Sequence, residues 1–70
     1  MGAKVMTLKD MRLKSGLKVE KIFSELGISR SGLYYIESGR TMPDKLKIER
    51  LSLLYGQPVE EIVKAWEVNQ

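Results

Sequence analysis

An all-α fold, a compact bundle of five short helices in one domain, is predicted by three observations on this chain. Apolar residues recur at helical spacings, as in Val19, Ile22, Phe23 and Leu26. Nowhere do apolar and polar residues alternate as they do along a half-buried strand. Glycine and proline at Gly16, Gly27, Gly39, Pro43, Gly56 and Pro58 break the pattern into helical lengths joined by connections of about two to six residues.

Each helix has its own signals. Thr7 with Asp10 three residues on resembles a capping box with the shorter acid, and opens a first helix with Leu8, Met11 and Ser15 on one side and Gly16 at its end. The apolar set from Val19 to Leu26 is one face of a second helix, which Gly27 terminates. The third starts at Ser29, turns Leu33 and Ile36 inward and stops near Gly39, spanning about 29–38. Pro43 and Asp44 start a fourth, with Ile48, Leu51, Leu54 and Tyr55 as its apolar stripe before Gly56. Pro58 opens the last, which carries Glu60 and Glu61 where the helix dipole favours acid and is expected to bury Val59, Ile62, Val63 and Trp66. The expected unit is one domain over 1–70 with a core of about 7–66.

At 70 residues the chain must devote most of its apolar side chains to one core. Cysteine and histidine are both absent, which removes disulfides, thiolate nucleophiles, imidazole bases and the usual zinc ligands. The carboxylates, lysines and tyrosines that remain form no catalytic motif, so the expectation is a protein that is not an enzyme and needs no metal, cofactor or small-molecule substrate. No apolar run approaches the roughly 20 residues that span a bilayer. The opening MGAKVM begins like an acylation signal but has Met6 where that motif wants serine or threonine. A soluble, cytoplasmic protein is expected. The net charge of +3 divides unevenly, +5 over residues 1–50 and −2 over 51–70. A polyanion would prefer the first part.

The most informative segment is Leu26 to Arg40, LGISRSGLYYIESGR. Gly27 tolerates the left-handed backbone of a tight turn, and the Ser29 oxygen can satisfy an amide left free at a helix start. That is the pattern of a helix-turn-helix, whose second helix enters the major groove of DNA. The chain resembles the Xre/Cro-type helix-turn-helix family, to which the lambdoid phage repressors belong, from about Leu8 to Ile62. The resemblance is carried by Leu8 and Arg12, Leu26-Gly27-Ile28-Ser29, Ile36-Glu37-Ser38-Gly39-Arg40, Pro43, Leu51 and Gly56. It departs at Lys18, where a capping serine or threonine is usual, at Val19, where a phosphate-binding glutamine is common, and at Phe23, where alanine is common. The resemblance implies a lambda-repressor-like domain in a prokaryotic or phage context, with Arg12 and Glu37 as a partly buried structural ion pair.

Arg30 stands near the start of the third helix, where a guanidinium can donate two hydrogen bonds to guanine O6 and N7. Its alternative roles are a phosphate contact or plain solvent exposure. Ser31 can reach a base edge or a phosphate, and the resemblance places it among the base-facing positions; Tyr35, near the line from Arg30 through Ser31, completes the set. Adjacent Tyr34 points about 100° away from Tyr35 and suits the side of the motif or the sugar backbone; half-buried packing is the alternative for both tyrosines. Backbone contacts are assigned to Lys18, Ser29, Gly32, Tyr34, Ser38, Arg40 and Lys45, with Lys47 extending them. Gly32 inside a helix costs about 1 kcal/mol relative to alanine, and either close approach to DNA or close packing on the second helix would explain it. Leu46 and Leu53, seven residues apart and opposite the stripe of the fourth helix, form with Trp66 or Val68 a candidate dimer contact. The alternative is that neighbouring helices bury both sides of the fourth.

The expected function is a sequence-specific regulator of double-stranded DNA that occupies a palindromic operator as a homodimer, at least on DNA, and represses. The alternative is a protein-interaction module of antitoxin or antirepressor type on the same fold.

Overall fold

The computed structural model describes residues 6–68. The opening MGAKV, and with it the acylation-like start and the ends of the 1–70 domain, lies outside the described residues. Five helices follow in order: α1 (Leu8–Ser15), α2 (Val19–Leu26), α3 (Arg30–Glu37), α4 (Lys45–Tyr55) and α5 (Val59–Glu67). No strand occurs among the described residues.

Local chemistry explains where the helices begin. The Thr7 hydroxyl accepts from the Asp10 amide and the Asp10 carboxylate accepts from the Thr7 amide, both at 3.1 Å, a reciprocal capping box. Ser29 caps α3 by accepting from the Gly32 amide at 3.1 Å, and Asp44 caps α4 by accepting from Lys47 at 2.9 Å. Lys18 and Pro58 precede α2 and α5 without a side-chain cap. Between α2 and α3 the chain reverses through Gly27 at φ 70°, a conformation in which a Cβ would be strained. No basic residue lies in the last turn of α2, and Arg50 of α4 supplies the missing donor, reaching the Glu25 carbonyl at 2.7 Å.

Each helix contributes one almost fully buried aliphatic side chain to a common core: Leu8, Ile22, Leu33, Leu51 and Ile62. Met11, Leu26, Ile36, Ala65 and Trp66 complete it. Helix α4 packs against α1, α2 and α5, while α3 rests on α2. The central place of α4 does not bury it on all sides: Leu46 and Leu53 remain open, Leu53 at 84 % exposure.

Two expectations about α5 are corrected. Val59 is exposed at the start of α5, where it lines an open pocket with Met42, Pro43 and Ile48, and Ala65 joins Ile62 and Trp66 in the core. Trp66 is not available as a surface contact. It belongs to the core, and its indole Nε1 donates to the Thr41 carbonyl at 3.0 Å, tying α5 to the loop that follows α3.

Candidate nucleic-acid interface

Helix α3 has two faces with different duties. Leu33, Ile36 and Glu37 are buried, whereas Arg30, Ser31, Tyr34 and Tyr35 are exposed. The inner face orients the outer one.

The strongest fixture is electrostatic. Arg12 of α1 donates through Nε to Glu37 Oε2 at 2.6 Å and through Nη2 to Oε1 at 3.2 Å, with side chains only 14 % and 8 % exposed. The fork satisfies both carboxylate oxygens, the geometry in which a buried charge pair is tolerated. The hydrogen bond to Glu37 raises the Arg12 pKa against the opposing effect of burial. Arg12 also lies 6.0 Å from the Tyr34 ring centre, drawing Tyr34 toward α1 and the side of the motif. Nearby, burial pushes the Tyr55 phenol well above its ordinary range, and its hydroxyl has no hydrogen-bond partner among the described residues.

At the other end of α3, Arg30 donates through Nη2 to Glu20 Oε2 of α2 at 2.8 Å, and its guanidinium lies 5.8 Å from the centre of the Phe23 ring. Glu20 was not among the residues expected at the site. Ten residues separate the two in sequence, and no local pattern couples them. Hydrogen bonding to its own backbone amide, and then to Arg30, holds the Glu20 carboxyl below its ordinary range. The phenylalanine at 23 now has an evident role: partly buried against the core, it offers its face to Arg30.

Gly32 is corrected as well. A Cβ there would meet Ile28 Cβ at 3.3 Å and Ser29 Oγ at 3.5 Å, both in the turn before α3, so neither of these contacts is with α2. The crowding that a Cβ would meet comes from the helix's own entry.

The segment after α3 is organised around one carbonyl. Tyr35 O accepts from the Arg40 amide at 2.9 Å, the Thr41 amide at 3.2 Å and the Ser38 hydroxyl at 3.1 Å, while the Gly39 amide bonds Ile36 O. These donors are therefore engaged within the protein, and the phosphate contact expected of Ser38 would require its hydroxyl to let go. The Arg40 side chain remains, exposed and stacked 5.7 Å from the Tyr35 ring centre. Lys18 and Lys45 are exposed, whereas Lys47 is paired with Asp44 at 3.1 Å. Among the described residues, no group of three or more acids could hold a metal ion, and no helix is long and apolar enough to cross a membrane.

Fold and site together define a helix-turn-helix domain with a core-locked third helix. The chain belongs to the helix-turn-helix family of Xre/Cro type: a family profile described as helix-turn-helix domain matches residues 7–66. It is also similar to the cryptic phage CTXphi transcriptional repressor RstR of Vibrio cholerae, 27% identical over 62 residues that cover 89% of this chain and 56% of the relative. The chain thus spans little more than half the length of that relative. No solved structure matches it.

Proposed function

We propose that this chain is a sequence-specific, double-stranded DNA-binding transcriptional regulator that lays α3 in the major groove and acts as a repressor by occupying its operator. The observation that carries this reading is the division of α3, with Leu33, Ile36 and Glu37 locked inward and Arg30, Ser31 and Tyr35 turned out. A helix clamped on one face presents the other in a fixed register, which base reading requires. Arg30 supplies the guanine-type donor fork, Ser31 and Tyr35 flank it, and Arg40 and Lys18 contact phosphate. Kinship with a phage repressor supports the repressor role.

One copy reads only a few base pairs, so two copies on a palindromic site follow, with recognition helices about 34 Å apart or a multiple of that. Leu46 and Leu53 line an open groove with Glu25, Glu49, Arg50 and Leu54, which is the proposed contact between copies, and exposed Val68, just after α5, is a second candidate for it.

Selection from a random duplex library tests the core of the reading. A palindromic motif should be enriched, and binding to it should weaken steeply with salt through counterion release. Enrichment of no sequence, or salt-independent binding, would overturn it. Sedimentation on the selected duplex should give two copies per site, with Leu53→Lys reducing that to one.

A further inference from the structure

We propose that Glu20 is a specificity-determining positioning residue of the recognition helix: with the Phe23 ring beneath, its carboxylate holds the Arg30 guanidinium at the head of α3 and keeps it from non-specific phosphates. The inference rests on the DNA-binding reading above and adds a residue to it.

The geometry supports positioning rather than stability. Glu20 and Arg30 are 61 % and 53 % exposed, and ion pairs in that setting contribute little to folding. What they do constrain is the long arginine side chain. The Glu20 bond engages Nη2, and the Phe23 face lies 5.8 Å from the guanidinium carbon, so position and direction of the group are both restrained before any ligand arrives. Donors at Nη1 and Nε carry no hydrogen bond among the described residues. A planar fork ordered in advance loses less freedom on meeting the paired acceptors of a guanine edge.

Charge gives the second half of the argument. Lys18 just before α2, Arg40 after α3 and Lys45 at the start of α4 are exposed cations that, with Arg30, attract any phosphate backbone. Glu20 is an acid in the first turn of α2, and its pairing with Arg30 offsets the attraction of Arg30 for phosphate on every duplex alike. A base that offers two acceptors can replace the carboxylate or share the guanidinium with it, whereas a lone phosphate oxygen gains little from displacing an equivalent oxygen. Specificity is a difference of affinities, and an intramolecular competitor widens it by weakening the wrong complex.

The test compares wild type, Glu20→Gln, Arg30→Ala and the double variant on two duplexes, the sequence that wild type selects and a scrambled one of equal composition, across a KCl series. Glu20→Gln should bind the scrambled duplex roughly two- to fivefold more tightly at about 0.1 M KCl, the most that release of an exposed pair allows, with a salt slope steeper by about 0.9, as one more phosphate is neutralised. Affinity for the selected duplex should change less, so selectivity falls. In the Arg30→Ala background the same substitution should change nothing. Unchanged scrambled-duplex binding would overturn the proposal, and so would an equal gain without Arg30, because Glu20 would then act by its own charge alone. A wild type that selects no sequence would overturn both this inference and the regulator reading; a selected motif with an inert Glu20→Gln would overturn this inference only.

Discussion

Two arginine–glutamate pairs stand at opposite ends of α3, and they differ in everything except residue type. At the C-terminal end Glu37 takes two bonds from Arg12 in a nearly closed environment. At the N-terminal end Glu20 takes one bond from Arg30 in water. The first pair cannot open without leaving a charge buried, so it belongs to the scaffold. The second opens at small cost, so it can exchange its partner for a ligand. Burial and bond number decide which pair is structure and which is available for recognition.

The contrast can be broken most decisively at the buried end. Glu37→Gln should lower stability by about 3 to 5 kcal/mol, since it strands the Arg12 charge, and chemical denaturation would show this as a lower midpoint. An unchanged midpoint would mean that the two pairs are alike after all. At the open end the effect should appear in recognition: Arg30→Ala should relax the preference at one base position by about 1 to 3 kcal/mol. Arg40→Ala, outside the pair, should instead weaken all duplexes alike and reduce the salt slope by about 1. Selection followed by titration would separate these outcomes.

A smaller effect is expected where α5 holds the loop that carries Arg40. Trp66→Phe removes the indole bond to Thr41 and should cost about 1 kcal/mol, seen as a lower melting temperature. The smallest effect on stability belongs to Glu20→Gln, whose melting temperature should fall only slightly, as an exposed pair contributes little, although its DNA selectivity changes.

Acid sharpens the same comparison. The Asp44 carboxyl is held below its ordinary value of 3.8, first by the Lys47 amide and then by the Lys47 side chain, and the Glu20 carboxyl lies below 4.5. Their folded-state pKa values are depressed, so their contributions are present above the ordinary values and are lost as pH falls through the folded ones. Melting temperature should therefore decline modestly below those values, and Asp44→Asn should flatten part of the decline.

Much of the scaffold was legible in the residues. The capping box at Thr7 and Asp10, the Ser29 cap, the stop at Gly27 and the inward pair Leu33 and Ile36 all stand where their spacing put them. These features are legible because their partners lie within one turn of helix. The ionic contact between Arg12 and Glu37 crosses 25 residues, and the expectation of it came through family resemblance rather than through spacing. Periodicity was less informative at helix ends: Val59 fits the stripe of α5 yet faces water, while Trp66 completes the core as its place on that stripe implies and is closed to the contact between copies for which it was also a candidate. A helical wheel gives direction around an axis and says nothing of how far a neighbouring helix extends.

By itself the sequence determined the helices, their approximate limits and, α5 apart, the inward face of each, because capping, glycine stops and apolar spacing act within about four residues of chain. The tertiary structure decided the partners: Glu20 and Phe23 for Arg30, Arg50 for the Glu25 carbonyl, Trp66 for Thr41, and Tyr35 O for the donors that follow α3. All but the last depend on how helices cross and how closely they approach, which the packing of the whole core sets. In the segment after α3 the choice among nearby acceptors depends on the loop's path, which Trp66 and buried Pro43 tie to the rest of the fold.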